Sequence, residues 1–344
     1  MKPVKPLTLI LKLLQASGLR LLHPKPALVR VPVRSATRFF VGTLLCVASL
    51  SAHEGFAQQH PLYTQYMFNG LVINPAYTGS HESITLTAAL RRQWTGIKGA
   101  PQTQIFSMHS PIKFSRSAAG VVATHDMVGV THQYMMYGTY AYRIPVSENA
   151  RLSVGGQVGM TYYTAKLNDL EVVTQNGQVD PAFAATSSRV LPNLGIGVYY
   201  YSKRTYVGLS LPTLIDNKWN NQDPLVKATQ QRHYFLTAGR VFDLSPSLKF
   251  KPNVLLKWVE NGPFQYDLNA NLLVQDVVWV GVSYRMQDSI DGLLQWNVND
   301  QLSMGYSYGY PTSSLAALQS GTHEVVVTYR VKRTKNMVLS PRYF

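Results

Sequence analysis

From about residue 83 onward the chain alternates apolar and polar residues in segments of roughly ten, separated by Gly, Asn, Asp and Pro. Successive side chains of a strand point to opposite faces, so a period of two predicts strands with one oily face and one wet or tightly packed face. Leu248, Phe250, Pro252, Val254, Leu256 and Trp258 lie on one face, with Lys249, Lys251, Asn253 and Lys257 opposite. Leu152, Val154, Val158, Met160 and Tyr162 oppose Ser153, Gly155, Gln157, Gly159 and Thr161. The same holds for Phe264 to Leu272 against Gln265, Asp267, Asn269 and Asn271, and for Leu302 to Tyr310 against Gln301, Ser303, Gly305, Ser307 and Gly309. With 46% hydrophobic and 14% charged residues the chain is too apolar for disorder, and it lacks the long apolar runs of a helical membrane protein. A transmembrane β-barrel, in which every second strand residue meets lipid, fits between these limits.

The pattern predicts an all-β fold, an antiparallel barrel of about 14 strands, near residues 83–94, 101–111, 117–129, 132–145, 150–162, 190–201, 205–211, 231–242, 247–259, 264–273, 277–286, 289–298, 300–310 and 322–333. Turns near Val146 to Glu148, Ser202 to Arg204, Asp243 to Pro246, Val274 to Asp276 and Asn299 are tight. The long connections near Ala165 to Ser188, Pro212 to Gln230 and Pro311 to Gly321 all fall on the other parity. Short turns at one end and longer loops at the other is the outer-membrane barrel pattern, and it requires an even strand number. A soluble β-sandwich also alternates. Against it, Tyr162, Trp258, Tyr284, Trp296 and Tyr310 recur towards strand ends, where interface girdles want amphipathic rings, and the chain ends on Phe344.

The one long apolar stretch, Phe39 to Leu50, is about half of what a spanning helix needs. Arg34 and Arg38 precede it and Gly55-Phe56-Ala57 follows, the order of a secretory signal, so residues 1–57 are expected to be a leader cleaved near Ala57. The upstream residues 1–33 are long for a signal and point to a start assigned too early. Cys46, the chain's one cysteine, lies in that leader, so the mature chain has no thiolate chemistry. The leader holds eight Lys or Arg and one Glu, so of the formal charge of +15 it carries +7, and 15 minus 7 leaves +8. The case for a nucleic-acid partner weakens accordingly.

No catalytic, cofactor or metal constellation emerges, which argues against an enzyme. His81-Glu82 and His323-Glu324 lack the second histidine of a zinc-protease helix and are read as solvated loop residues. Gly195 and Gly197 precede a Tyr-rich strand instead of a helix N-terminus, so they are read as small lumen-facing or bend positions. Asp180-Pro181 and Asp223-Pro224 are turn chemistry in long loops. Lys249, Lys251, Lys257, Arg91, Arg285, Asp267, Asn253, Asn269 and Asn271 would make the lumen polar and mixed in sign. Such an interior is either a solute pathway or a volume filled by side chains, loops or the N-terminal segment.

Residues 58–82 precede the alternating strands and carry a dense, non-alternating mix of aromatics and Asn: Gln65-Tyr66-Met67-Phe68-Asn69, then Asn74-Pro75-Ala76-Tyr77-Thr78-Gly79. The segment could be a plug, a periplasmic clasp, or a short helix followed by a turn at Asn74-Pro75. The string strongly resembles the opening of the PorP/SprF family of Bacteroidota outer-membrane proteins, and the resemblance continues through Arg92-Gln93-Trp94, Pro101-Gln102-Thr103, Tyr140 to Ile144 and Ser340 to Phe344. It implies an outer-membrane barrel of the type IX secretion system and its gliding or adhesin branch, residues 83–344 forming the barrel and its short tail. Implied partners are a periplasmic ring, peptidoglycan-linked components, outer-membrane lipid, and secreted adhesin cargo with a type B C-terminal sorting domain. Gln65, Tyr66, Met67, Phe68, Asn69, Asn74, Pro75, Ala76, Tyr77 and Gly79 become candidates for a structural or docking element. Short turns and N-terminus are expected to face the periplasm, with the long loops outside. The competing expectation is a passive channel for small solutes.

Overall fold

The computed structural model describes residues 63–112, 115–167, 186–217, 231–260 and 262–331. The leader with its cleavage point, Asp180-Pro181, Asp223-Pro224 and the C-terminal Phe344 lie outside the described residues. The strands are β1 (Ile84–Arg92), β2 (Gln102–Pro111), β3 (Ser117–Val128), β4 (Thr131–Ser147), β5 (Ala150–Lys166), β6 (Thr186–Ser202), β7 (Thr205–Leu211), β8 (His233–Arg240), β9 (Phe242–Ser245), β10 (Leu248–Val259), β11 (Gln265–Val274), β12 (Val278–Arg285), β13 (Ser289–Asn297), β14 (Leu302–Pro311) and β15 (Thr322–Val331). β8 and β9 are one strand interrupted at the buried Val241, and both pair with β10, so the wall has 14 strands.

Every neighbouring pair is antiparallel, and pairing of β15 with β1 and of β10 with β11 closes the ring. A closed ring has no sheet edge and no second sheet, so the sandwich alternative falls. The register fixes the shape. From Arg92 the pairing leads one way through Gln102, Met127, His132 and Thr164 to Ser188 on β6. The other way it leads through His323, Tyr308, Gly292, Val282, Ala270 and Pro252, then across β8 and β7 to Ser202 on the same strand. The stagger is 202 minus 188, or 14 residues. Fourteen strands with that stagger tilt by about 35° and lie on a cylinder of radius about 13 Å. Inward side chains reaching roughly 6 Å from such a wall leave space for one further chain segment about as thick as a helix.

Lipid-side positions carry the exposed apolar residues, among them Phe106, Met136 (63% exposed), Val158 (62%), Val282 (58%) and Leu294. A continuous belt of this kind is far beyond what a soluble monomer exposes. Tyr162, Trp258, Tyr284 and Tyr310 sit outward at one end of the strands and Trp296 outward at the other, so these five rings fall at the two rims. Connections at 93–101, 167–185, 212–232 and 312–321 share one end with three short ones, whereas all those at the other end are five residues or fewer. No helix among the described residues is long and apolar enough to cross a membrane.

Candidate functional site

Residues 63–80 lie inside the ring, not beneath it, which removes the clasp among the arrangements left open. The segment is a chain of short 3₁₀ turns, Tyr66–Phe68, Gly70–Val72 and Pro75–Tyr77. The last is set by Asn74-Pro75: the Asn74 side chain accepts from the Ala76 N–H at 2.9 Å as an N-cap, and Pro75 takes the first helical position where no N–H is missed. Gly79 closes the segment with φ +72°, the left-handed region that glycine enters freely. Nine of the ten motif residues are buried, and Phe68 is half-buried.

The segment starts at the long-loop end. Glu324 receives the backbone N–H groups of Thr64 and Gln65, each at 2.9 Å, on its two carboxylate oxygens. Arg91 completes the clamp, 3.0 Å from Glu324 and 2.9 Å from the Thr64 hydroxyl, which itself donates to Asp291 at 3.0 Å. Arg285 donates to the Tyr63 carbonyl at 3.2 Å and pairs with Asp267, to which Lys257 also binds at 2.9 Å. Arg91, Lys257, Asp267, Arg285, Asp291 and Glu324 each lie within two residues of a strand terminus at that end.

Further along, Tyr66 reaches the β10–β11 seam, where its hydroxyl accepts from Asn269 at 2.7 Å and Asn253 at 3.2 Å. The Lys251 ammonium lies against both Phe68 and the wall residue Trp279, 4.6 Å from each ring centroid. Asn69 accepts from Ser107 at 3.2 Å, and Ser210 donates to the Ile73 carbonyl at 2.6 Å. Asn74 enters the β6–β7 seam and donates to the Val198 carbonyl at 3.1 Å. It gets there because Gly197 and Gly208 leave a gap: a Cβ on Gly197 would collide with the Asn74 amide. Gly155 faces Pro75 and Ala76 in the same way, and Gly305 faces Gln65. Gly195 and Gly197 therefore face the lumen, Gly197 as a socket for the segment. At the short-turn end the Gly79 N–H donates to His109 Nδ1 and its carbonyl accepts from Arg143, both at 3.0 Å.

Three expectations change. His81 is buried and stacks on His109 with ring centroids 5.5 Å apart, and Glu324 is the most engaged carboxylate of the clamp; neither is a solvated loop residue. A carboxylate facing inward on a lipid-embedded strand must find internal donors. His323 is partly buried, 2.8 Å from the Tyr306 hydroxyl. Finally, the lumen is not simply polar. All nine polar wall residues named from sequence do face inward, but Ile105, Val122, Tyr199, Tyr201, Tyr206, Phe235, Leu255 and Leu293 join Tyr63, Tyr66, Met67, Leu71, Ile73, Ala76 and Tyr77 in one apolar core. The signal was present as single apolar intrusions on the polar phase, such as Leu255 between Asn253 and Lys257, and Leu293 between Asp291 and Gln295. They mark the line along which the segment touches the wall.

Among the described residues no group of three or more His, Cys, Asp or Glu side chains is arranged to hold a metal ion. What the arrangement can do is hold a peptide: backbone donors, amide side chains and rings are each matched on the wall.

A closed 14-stranded antiparallel barrel with an apolar girdle and a lumen occupied by its own N-terminal segment is a membrane β-barrel of the outer-membrane type. The sequence profile described as type IX secretion system membrane protein PorP/SprF matches residues 55–329, and the chain belongs to that family. No curated protein sequence matches it. Solved structures similar to it include the Acinetobacter baumannii outer membrane protein Omp33 (9% identity, 74% of this chain and 100% of that one, TM-score 0.43). A Pseudomonas aeruginosa FadL homologue (13%, 78% and 94%, TM-score 0.42) and the CymD monoaromatic hydrocarbon channel (15%, 80% and 94%, TM-score 0.41) are also similar. The family is that of an outer-membrane barrel of type IX secretion, a non-enzymatic class of component that works with other parts of that system.

Proposed function

We propose that this protein supports the secretion or surface attachment of adhesin-type cargo carrying type B C-terminal domains, as part of the type IX secretion and gliding machinery. Its partners in this reading are the periplasmic ring and peptidoglycan-linked components below the membrane and the cargo or its sorting domain at the long-loop mouth. It reaches the outer membrane through a signal peptide cleaved near Ala57. The observation that carries the reading is family membership across residues 55–329. The lumenal segment supports a non-conducting role, because buried hydrogen bonds and an apolar core hold it across the path a solute would take.

The ten motif residues act in this reading as a structural brace and not as an external docking face, since their side chains are engaged with the wall. Deletion of the gene is expected to leave such adhesins undelivered or unretained at the surface, with recovery on complementation. Normal adhesin display in the deletion strain would sink the proposal. Planar-bilayer recording separates it from a passive solute channel: the purified barrel is expected to be silent, and steady open-channel steps would favour the channel.

A further inference from the structure

We infer that the mature amino terminus is presented on the long-loop side of the barrel, with the segment threading the lumen from that mouth down to the short-turn end where β1 begins. The inference rests on the reading above for which side is called outside and for cleavage near Ala57. It reverses the arrangement expected from sequence, in which the N-terminus shares the periplasmic side with the short turns.

Direction is the first support. Tyr63, Thr64 and Gln65 are held by Arg285, Asp291, Arg91 and Glu324, all within two residues of strand termini at the long-loop end. Asn74 lies at mid-wall against Val198, and Gly79 lies at the other end against His109 and Arg143, near the short connection at 112–116. Residues 63–80 therefore run from one mouth to the other, and Ile84 opens β1 at the short-turn end.

Reach is the second. A strand of ten residues such as β2 (Gln102–Pro111), tilted about 35°, rises about 25 Å along the barrel axis. With cleavage near Ala57, only five peptide units separate Gln58 from Tyr63, and a fully extended chain of that length spans at most about 18 Å. The start of the mature chain cannot return to the short-turn end. The path back is also taken, because Leu71, Ile73, Ala76 and Tyr77 fill the core against the wall. Any protein that docks on the loop mouth thus meets the free end of the segment that braces the interior.

The mature chain carries no cysteine, so reporters can be introduced singly. A five-residue Gly/Ser insertion with a central Cys between Gln59 and His60 is compared with Lys98→Cys, exposed in the long-loop-end connection 93–101, and Lys203→Cys, exposed in the β6–β7 turn. Intact cells are treated with a membrane-impermeant maleimide, before and after the envelope is opened. The inserted Cys is expected to label on intact cells to within about twofold of Lys98→Cys, while Lys203→Cys labels only after opening.

An inserted Cys that follows Lys203→Cys, or that reacts only on unfolding, overturns the inference. If Lys98→Cys and Lys203→Cys exchange behaviour while the inserted Cys still follows Lys98→Cys, the membrane orientation fails and the inference stands. Should the insertion reduce the heat-modifiable barrel, His60→Cys without an insertion gives the same comparison.

Discussion

Replacing Glu324 with Ala is expected to loosen the lumenal segment from its N-terminal end and to lower the stability of the barrel by about 3–5 kcal/mol, the cost of breaking a buried ion pair by removing one partner. The carboxylate accepts three buried hydrogen bonds, from Thr64 N–H, Gln65 N–H and Arg91. Bonds to a charged group are worth about 1.5–3 kcal/mol each. They share one acceptor, so their sum overstates the loss, and the ion-pair figure is the better guide. The side chains of Arg91 and Glu324 are each only 3% exposed, so solvent screening relieves little of the charge left on Arg91. For a barrel of this size the loss corresponds to a fall on the order of 5–10 °C in the midpoint at which the unboiled protein loses its compact gel mobility. Intermittent conductance is expected in planar bilayers as the segment leaves the mouth. A double replacement, Glu324→Leu with Arg91→Met, removes both charges and should recover part of the midpoint, because an apolar pair leaves no buried charge unpaired. An unshifted midpoint and a silent bilayer for Glu324→Ala would refute the clamp, and a double variant worse than the single would refute the charge argument.

Tyr66→Phe removes the acceptor for Asn253 and Asn269 and should cost about 1–3 kcal/mol while leaving the strand pairing intact, read as a lower midpoint with unchanged β-sheet circular dichroism. Gly197→Val drives a side chain into the Asn74 amide and is expected to destabilise the segment, whereas Val198→Leu, one residue on and facing lipid, should leave the midpoint within about 1 °C; equal effects would contradict the socket. Val282→Arg places a charge on the lipid face at mid-strand of β12 and should cost about 2–4 kcal/mol, seen as reduced recovery of folded barrel from the outer membrane. Wild-type recovery would mean that this face does not meet lipid.

Much of the wall was legible in the sequence because a strand's side-chain period is a local property. The alternation at Leu248 to Trp258 and at Leu302 to Tyr310 assigns inside and outside residue by residue, and no other part of the chain is needed to read it. Closure into an even-numbered ring followed from the parity of short and long connections. The breaks were harder: Val241 divides one strand into two segments although the register with β10 is the same on both sides of it, and the local shift in pairing falls further on, between Asp243 and Ser245 opposite Lys249 and Leu248, which composition does not announce.

Only the tertiary structure decided what occupies the lumen. The dense motif from Gln65 to Gly79 announces itself by its aromatics and Asn, but its partners are remote: Glu324 is 259 positions from Gln65, and Asn269 is 203 from Tyr66. Nothing local to either residue encodes such a pairing. It exists because a ring of 14 tilted strands leaves a space that its own side chains do not fill, and burying backbone N–H groups there requires acceptors from the wall. For the same reason Glu324 reads as a loop carboxylate in one dimension and becomes the clamp in three. That the segment crosses this space, and so puts Tyr63 to Gln65 at the far mouth, was equally invisible, since a clasp beneath the barrel satisfies the same sequence and only the placement of Arg91, Arg285 and Glu324 around Tyr63 to Gln65 decides between them.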